Sequence, residues 1–386
     1  MTLAHEKTTS TFATLADATA PVRVILVGAG AMGRNWLRVL TASTDVDLVG
    51  LVDLDQELAH RTLADAGLTA VVVGASVTDV AEETDANAVV DVTVPVAHHT
   101  VNTEALFGGL PVLCEKPIAP TVSQALSLVA AAEASGQLLM TSQSRRYYNA
   151  LAAFRESLAS LGDVGIVTTE FFKGPHFGGF REEMEQPLLV DMAIHAFDAA
   201  RYLLKADPVS VRCESYNPNW SWFSGDAAAV ADFEFDGGIR YTFNGSWVSG
   251  GLETSWNGSW RASGSAGSAT WDGESTPNVE LVAGSADGSA DSGETESAPA
   301  PEEIAGALAE FVHAVRTGEV PSGDVHSNIL SLAMVEAAVQ SAASGERVLI
   351  DVVLENAYAQ TLADETRADV RTVLERWGSA AAGLAR

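Results

Sequence analysis

Asp191 and His195 are four residues apart in a segment whose apolar pattern predicts a helix over 188–204. At this spacing two side chains share one helix face, with ~5–6 Å between their Cβ atoms. Because the unperturbed pKa of a histidine is ~6.5, His195 could accept a proton near neutral pH while Asp191 orients it or holds a substrate. Asp198 is a second candidate for the orienting group. The alternative is a histidine packed in the core, and no metal site is expected because a third ligand at suitable spacing is missing.

A glycine-rich turn follows the first predicted strand and opens a predicted helix, as in a dinucleotide-binding fingerprint. In such a turn Gly28 allows the tight bend, Gly30 lets the backbone approach a pyrophosphate, and Gly33 lets the helix pack closely on the strand. The N-terminus of the helix then offers backbone N–H groups to the phosphates. The sequence therefore predicts a dinucleotide-binding turn at this position.

Asp53 ends the second predicted strand, twenty residues after Gly33. A carboxylate there can bind the ribose hydroxyls, and it would repel the 2'-phosphate of NADP. No arginine directly follows Asp53, so NAD is favoured and NADP is less expected. The alternative is a turn with a solvated aspartate.

The tripeptide Glu115-Lys116-Pro117 follows the fifth predicted strand, at the carboxyl edge where doubly wound sheets bind ligands. Lys116 is one of four lysines in the chain. Taken alone, it would be interpreted as a surface residue. Downstream of a dinucleotide turn, it is expected to project toward the nicotinamide, where it could hold a substrate hydroxyl and stabilise a developing alkoxide.

Short apolar runs alternate with helical stretches in the first part of the chain, which predicts parallel strands joined by crossover helices. Helices are expected at 31–41 and 121–134, the second with Gly136 as its C-cap. The predicted strands are 22–27, 47–52, 70–73, 88–94, 111–114 and 138–141.

Longer alternating runs follow, which predict an antiparallel sheet with one covered face. The predicted strands are 165–172, 209–216, 227–235, 239–247, 256–263 and a short one at 347–352, with helices at 302–317, at 325–344 and at the C-terminus. The stretch 284–301 is predicted to be a surface loop. The expected fold is α/β, with a doubly wound parallel sheet followed by an α/β domain with a large, open, mainly antiparallel sheet. The expected domains are a flexible tail at 1–20, a dinucleotide-binding domain at 21–145, and a substrate-binding and oligomerisation domain at 146–386.

Composition excludes several classes of protein. The chain has 22 Lys and Arg residues against 51 Asp and Glu residues, a formal charge of −29, which disfavours partners such as nucleic acids and anionic membranes. No apolar run approaches the ~18–20 residues of a membrane span. Two cysteines give no reason to expect an oxidising compartment, and residues 1–20 lack a signal-peptide pattern. A cytoplasmic protein is therefore expected.

Five motifs lie in a fixed order along most of the chain, from about 22 to 351. They are Gly28 to Gly33, Asp53, Pro95 followed by His99, Glu115-Lys116-Pro117, and the helix with Asp191 and His195. In this combination the sequence resembles the Gfo/Idh/MocA oxidoreductases, a family named for glucose-fructose oxidoreductase, inositol dehydrogenase and a rhizopine-catabolism protein.

The resemblance implies an N-terminal Rossmann domain and a C-terminal α/β domain whose open sheet often forms an oligomer interface, so a homodimer or homotetramer is expected. It also implies the catalytic roles: Lys116 near the nicotinamide, Asp191 contacting substrate, and His195 accepting the proton. The residues expected to bind the cofactor are Gly28, Gly30, Ala31, Met32, Gly33, Asp53, Pro95, His99, Glu115 and Lys116.

Substrate contacts are expected from the glycine-rich loop at 173–181 and from a loop between strands at 217–222. Six of the eight tryptophans lie between 220 and 271 in the second domain, where their rings could stack on the C–H faces of a sugar; packing within the sheet is the alternative for most of them. The residues expected to bind substrate are Lys116, His176, Arg181, Asp191, His195 and Trp222.

The predicted function is an NAD-dependent dehydrogenase that oxidises a secondary hydroxyl of a small-molecule sugar, cyclic polyol or related carbohydrate. Whether His195 or Lys116 is the base stays open at this stage. One alternative is a redox-neutral enzyme that cleaves glycosides with tightly held NAD. Others are a non-catalytic dinucleotide-binding sensor, and a dihydrodiol or imine reductase.

Overall fold

A computed structural model describes residues 11–283 and 300–385. The chain divides into two compact units. The first unit contains residues 11–143, 304–329 and 357–385, and the second contains residues 144–283, 300–303 and 330–356.

The first unit holds a six-stranded parallel sheet with the order β3-β2-β1-β4-β5-β6, which is the doubly wound order of a Rossmann fold. Its central strands are mostly apolar and almost entirely buried, because helices cover both faces of such a sheet. This confirms the predicted fold class. The strands are β1 (Val22–Val27), β2 (Val46–Val52), β3 (Val72–Gly74), β4 (Ala88–Asp91), β5 (Val112–Glu115) and β6 (Leu139–Ser142).

Five crossover helices connect these strands. Three begin at side-chain caps, in which Asp55, Ser76 and Thr121 accept a hydrogen bond from a backbone N–H of the first turn. Gly136 ends the fifth helix in the left-handed conformation, as predicted. The helices are α1 (Ala31–Ala42), α2 (Gln56–Asp65), α3 (Val77–Thr84), α4 (Pro95–Phe107) and α5 (Val122–Ser135).

The second unit holds a mixed sheet with the strand order β13-β12-β11-β7-β10-β9-β8-β14. Strands β7 and β10 pair in parallel, and the other neighbours are antiparallel. The strands are β7 (Val164–Phe172), β8 (Pro208–Tyr216), β9 (Ala228–Phe235), β10 (Arg240–Ser246), β11 (Ser259–Gly264), β12 (Gly267–Trp271), β13 (Asn278–Leu281) and β14 (Val348–Leu349). Strands β12 and β13 were not predicted, and the strand predicted at 347–352 is cut to two residues because a helix begins at Ile350.

The remaining helices begin after β6. The one carrying His195 packs on the sheet through Phe197, whose ring meets Phe233 and Phe243 edge-on at centroid distances of 4.8 and 5.5 Å. The helices are α6 (Asn149–Leu158), α7 (Ile194–Leu204), α8 (Glu303–Thr317), α9 (Val325–Ser344), α10 (Ile350–Asp364), α11 (Ala368–Trp377) and α12 (Ala380–Leu384). In the part of the chain that the structure describes, no helix is long and apolar enough to cross a membrane.

The predicted division into domains differs from the observed one in two places. Segments 304–329 and 357–385 belong to the first unit, although 146–386 was predicted to be a single domain. Helix α11 packs on α5, and the backbone N–H of Thr141 donates to the carbonyl of Gly323. An amphipathic pattern predicts that a helix is covered on one face, but not which sheet or helix covers it.

The predicted flexible tail is also partly wrong. Residues 1–10 of the predicted tail and residues 284–299 of the predicted surface loop lie outside the described residues. Residues 11–20, in contrast, are held on the first unit: Phe12 is buried, and the backbone N–H groups of Ala13 and Leu15 donate to the carbonyls of Gly136 and Val315 over 2.8 Å.

Candidate active site

The glycine turn of the first unit gives each of its three glycines a separate role. Gly28 has φ +106°, and a Cβ there would lie 2.9 Å from the Val92 carbonyl oxygen. A Cβ on Gly33 would lie 2.0 Å from the carbonyl oxygen of Gly28, so only glycine allows this approach of helix and strand. A Cβ on Gly30 would have no neighbour within 4 Å. The turn therefore leaves open space above Gly30, which is where a pyrophosphate needs close access to the backbone.

Helix α1 begins at Gly30 without a side-chain cap, unlike α2, α3 and α5. Its first-turn N–H groups are therefore available to an anion, and the helix dipole favours negative charge there. Ala31 and Met32 form this first turn, and the Met32 side chain is 39% exposed. The turn fits the diphosphate of a dinucleotide.

Asp53 lies beside the glycine turn. Its Oδ2 accepts a hydrogen bond from the Ala29 N–H over 2.7 Å, and its Oδ1 accepts one from the Asp55 N–H over 2.8 Å. These bonds hold the carboxylate against the turn while its remaining lone pairs can accept hydrogen bonds from ribose hydroxyls. The nearby Arg61 is 4.0 Å from the Asp55 carboxylate and 3.6 Å from that of Glu57.

Glu115, the last residue of β5, accepts hydrogen bonds from Trp36 on α1 and from the backbone of Lys116. Its Oε1 accepts a hydrogen bond from the indole N–H of Trp36 over 2.8 Å, and its Oε2 accepts one from the Lys116 N–H over 3.2 Å. Desolvation raises the pKa of the Glu115 carboxyl, although these bonds and the Lys116 ammonium oppose the rise. Glu115 therefore ties α1 to the end of β5 and holds the backbone of Lys116, and its contact with the cofactor stays a prediction.

His99 also has a polar partner within the first unit, and its contact with the cofactor stays a prediction. Pro95 begins α4, but the His99 ring turns toward α5, where its Nε2 lies 2.9 Å from the hydroxyl of Ser127. Burial lowers the pKa of the His99 ring. Its neighbour His98 instead turns toward the carboxyl ends of β4 and β5, where its ring meets the carbonyls of Thr93 and Pro117. The orientation of α4 therefore decides that His98, rather than His99, faces the ends of these two strands.

In the second unit, Asp191 and His195 lie on one continuous helix whose geometry changes from π-helical to α-helical between them. Leu188–Ala193 is π-helical, and the α-helix begins at Ile194. Such wider turns are frequent at functional sites because they re-aim side chains. Asp191 Oδ2 accepts a hydrogen bond from Arg181 Nε over 2.8 Å, so the predicted substrate residue Arg181 is paired with the predicted catalytic carboxylate.

Asp198 anchors this helix. Its two carboxylate oxygens accept hydrogen bonds from the Arg146 guanidinium, each over 2.7 Å, and Oδ1 also accepts one from the Ser331 hydroxyl. Asp198 and Arg146 are both buried, so α7 is fixed by an ion pair shielded from water.

A cavity adjoins His195 within the second unit. Arg145 and Asn257 are polar residues of its wall, and Arg145 Nη1 donates to Asn257 Oδ1 over 2.7 Å. Trp256 is also in the wall and is 43% exposed. Sequence reasoning missed Arg145; the available signal was the tandem Arg145-Arg146 directly after β6.

Two loops meet beside the helix of Asp191. The ring of His176 stacks on that of Trp222 at a centroid distance of 3.9 Å, and the Trp222 indole N–H donates to the Pro175 carbonyl. Arg181 lies over the rings of Phe177 and Phe180. The structure thus brings His176 and Trp222 together, and Arg181 and Asp191. Trp247, Trp260 and Trp271 are buried, as the packing alternative predicts.

Comparisons with known proteins agree with this architecture. Residues 22–143 match the model of an oxidoreductase family with an NAD-binding Rossmann fold, and residues 158–270 match the GFO/IDH/MocA C-terminal domain. A crystal structure of an oxidoreductase from Agrobacterium radiobacter in complex with NAD+, L-tartaric acid and magnesium has a TM-score of 0.74 at 19% identity, covering 87% of this chain and 100% of that one.

Two curated relatives have named activities. Inositol 2-dehydrogenase 1 of Saccharopolyspora erythraea is 32% identical over 49% of this chain and 56% of its own length. The 1,5-anhydro-D-fructose reductase of Ensifer adhaerens is 26% identical over 58% of this chain and 69% of its own length. These matches span about half to two thirds of each relative. On the two family models and the shared architecture, the chain belongs to the Gfo/Idh/MocA family of NAD-binding oxidoreductases.

Proposed function

We propose that the chain is an NAD-dependent dehydrogenase that oxidises a secondary hydroxyl of a cyclic polyol or sugar to a ketone. The observation that carries the proposal is the glycine turn with the Asp53 carboxylate bound to it, in a member of this family. The inositol 2-dehydrogenase relatives support a polyol as the substrate class.

The cofactor proposal is NAD rather than NADP. When bound, NAD supplies an acceptor for the hydride of the carbinol carbon. The open space over Gly30 and the uncapped start of α1 would receive the diphosphate, and Asp53 would accept hydrogen bonds from the ribose. A 2'-phosphate would meet the Asp53 carboxylate, and Arg61, the nearby cation, already lies near two carboxylates.

In the proposed mechanism, His195 accepts the proton of the reacting hydroxyl and Lys116 stabilises the developing alkoxide. Asp191 orients the substrate or the base, and its bond to Arg181 holds the carboxylate in place. Oxidation of the alcohol to a ketone would release a hydride, which bound NAD would accept, and the hydroxyl proton, which His195 would accept. The proton reaches solvent through His195.

The proposed substrate contacts lie in the second unit. Trp256 offers a ring for the C–H face of a polyol, and Arg145 and Asn257 offer hydrogen bonds to hydroxyls. The stacked pair of His176 and Trp222 adds a second aromatic surface.

The test is reduction of NAD and NADP by the purified protein with a panel of inositols, other polyols, sugars, anhydrosugars and glycosides. We expect NADH with at least one cyclic polyol or sugar, and a much weaker reaction with NADP. Lys116→Ala serves as the blank. NAD binding without reduction by any member of the panel would contradict the proposal, and glycoside cleavage without NADH would replace it by redox-neutral catalysis.

We further propose that the protein works in the cytoplasm as a homodimer or homotetramer. Both cysteines are buried and free, which suits a reducing compartment. The outer face of the second sheet exposes Ile166 and Val230 at 56% and 38%, and a second copy could cover them. Light scattering on the eluting protein tests this, and a monomer at micromolar concentration would contradict it.

A further inference from the structure

His98 is a buried side chain that none of the proposed catalytic steps uses. It lies on α4 in the first unit and is 0% exposed. Its Nδ1 is 2.8 Å from the carbonyl oxygen of Pro117, and its Nε2 is 3.1 Å from that of Thr93. The ring therefore bridges the segments that follow β4 and β5, two neighbouring strands of the parallel sheet.

Both contacts of the ring are with acceptors. A carbonyl oxygen can accept but not donate, so each ring nitrogen must carry a hydrogen to bond it. A neutral imidazole has one N–H and one lone pair, and would set that lone pair against a carbonyl oxygen in a fully buried site. The imidazolium satisfies both carbonyls at once.

A buried counter-charge is present. Asp91 is also 0% exposed. A carboxylate oxygen of Asp91, a ring nitrogen of His98 and the sulfur of Cys114 lie within 4.8 Å of one another. The Asp91 carboxyl receives only donors: Oδ1 accepts from the N–H and the hydroxyl of Thr93, and Oδ2 is 3.8 Å from the Cys114 sulfur. This environment suits an ionised carboxylate beside an imidazolium.

The other titratable groups near the ring are on β5 and directly after it. Burial raises the pKa of the Cys114 thiol well above its usual value, so this side chain stays neutral. Burial also raises the pKa of the Asp91 carboxyl, and the charge of His98 opposes that rise. The charge of His98 also opposes the rise in the pKa of the Glu115 carboxyl, and Lys116 is the residue after Glu115. With a hydrogen on each ring nitrogen, the ring would have no lone pair to offer a metal ion.

The hydrogen bonds of His98 hold the main chain at two places, directly after Lys116 and at Thr93. The Lys116 N–H is held by Glu115 Oε2 over 3.2 Å, and the next carbonyl, that of Pro117, is held by His98. Thr93 is held by Asp91 at its N–H and by His98 at its carbonyl. Val92, the residue before Thr93, contacts the turn at Gly28. One charged ring thus connects the lysine to the edge of the glycine turn.

We propose that His98 is a doubly protonated positioning residue that fixes the main chain of Lys116 relative to the cofactor turn. The proposal rests on the proposed dehydrogenase function for its kinetic consequence, but not for the protonation state. His98 does not touch the reacting atoms; it acts through the Thr93 and Pro117 carbonyls.

The direct test is the nitrogen NMR spectrum of histidine-labelled full-length protein at pH 7.5, with His98 assigned by the loss of its signals in His98→Gln. We expect both ring nitrogens of His98 to give protonated-type shifts and an N–H proton protected from exchange. A neutral tautomer, with one nitrogen at the deprotonated shift, would overturn the proposal whether or not any polyol is oxidised. If His98→Gln does not fold, His98→Asn provides the assignment.

The kinetic test compares His98→Gln with His313→Gln, a substitution at an exposed histidine on α8. An amide cannot replace the ring in both bonds, so we expect kcat per NAD-binding site to fall between about 10- and 100-fold in His98→Gln. The KM values for NAD and the polyol should change less than about threefold. His313→Gln should leave all three unchanged. A merely structural role would lower the melting temperature and the number of NAD sites while leaving kcat per site intact, and this result would also overturn the proposal.

Discussion

At the scale of single residues, the proposed binding of the cofactor depends most on one side chain of the first unit, the carboxylate of Asp53. It is bound to the glycine turn through Ala29 and to the next loop through Asp55, so its position does not depend on a ligand. His195 has the same importance in the second unit, since it is the proposed proton acceptor and adjoins the cavity. Each can be tested by a substitution that changes one chemical property.

We expect Asp53→Asn to weaken NAD binding by about 10- to 100-fold, because a hydrogen bond to a charged group contributes about 1.5–3 kcal/mol. The preference for NAD over NADP should shrink, since the charge that repels a 2'-phosphate is gone. The measurement is the KM for each cofactor. The control is Asp55→Asn, two residues away, which alters the cap of α2 and not the charge at the ribose. An unchanged cofactor ratio in Asp53→Asn would contradict the role.

His195→Asn should reduce kcat by between about 10²- and 10⁴-fold, the usual contribution of a positioned general base. NAD binding, measured by fluorescence titration, should stay the same, because the cofactor turn lies in the other unit. The matched control is His176→Asn, which should raise the KM of the substrate more than it lowers kcat. If His195→Asn retained full hydride transfer, Lys116 would be the better candidate for the base.

At the scale of elements, the site depends on where helices begin and how they are anchored. Helix α1 begins at a glycine with open space above it, whereas Gly33 one turn later has none. Helix α7 begins where a π-helical segment ends and is fixed by the buried pair of Arg146 and Asp198. Neither the start of α1 nor the anchoring of α7 depends on which substrate is bound.

The two glycines of α1 should respond differently to the same substitution. Gly30→Ala should fold with a nearly unchanged melting temperature and lose NAD affinity by at least about tenfold, because its methyl group would occupy the space required by the diphosphate. Gly33→Ala should lower the melting temperature, because its Cβ would lie 2.0 Å from a carbonyl oxygen. Thermal denaturation and NAD titration distinguish the two effects. Normal NAD binding by Gly30→Ala would exclude this turn as the diphosphate site.

Arg146→Ala should destabilise the second unit by about 3–5 kcal/mol, because it leaves Asp198 buried with an uncompensated charge. The control is Arg240→Ala, which removes an exposed guanidinium that pairs with Asp232 and Glu234 and should cost less than about 1 kcal/mol. Chemical denaturation of the two variants gives the comparison. Equal losses would show that the Arg146 pair does not anchor α7.

At the scale of the whole molecule, the formal charge of −29 is the dominant property. Repulsion among like charges disfavours a compact chain, and salt screens it over a distance of about 10 Å at 0.1 M.

We expect the melting temperature to rise by several degrees between about 0.05 and 0.5 M KCl, because screening relieves repulsion in the folded state. NaCl at the same ionic strength should act alike, and this control separates screening from binding of a particular ion. Thermal scans at constant pH provide the measurement. A melting temperature that is flat or falls over this range would show that the acidic residues do not destabilise the fold.

The sequence by itself determined the local features. Glycine spacing, the acidic end of β2 and alternating apolar runs are properties of neighbouring residues, so the dinucleotide turn, the six parallel strands and most of the second sheet could be predicted from them. The short strands β12 and β13 were missed because they lie in a Gly- and Ser-rich stretch without strong alternation.

Only the tertiary structure decided features that depend on contacts between distant residues. It turned His98 rather than His99 toward the sheet edge, bound Glu115 to Trp36, and paired Asp198 with Arg146. It also placed segments 304–329 and 357–385 with the first sheet. An apolar pattern shows that a face is buried but does not name its partner, because burial stabilises a side chain against any complementary apolar surface.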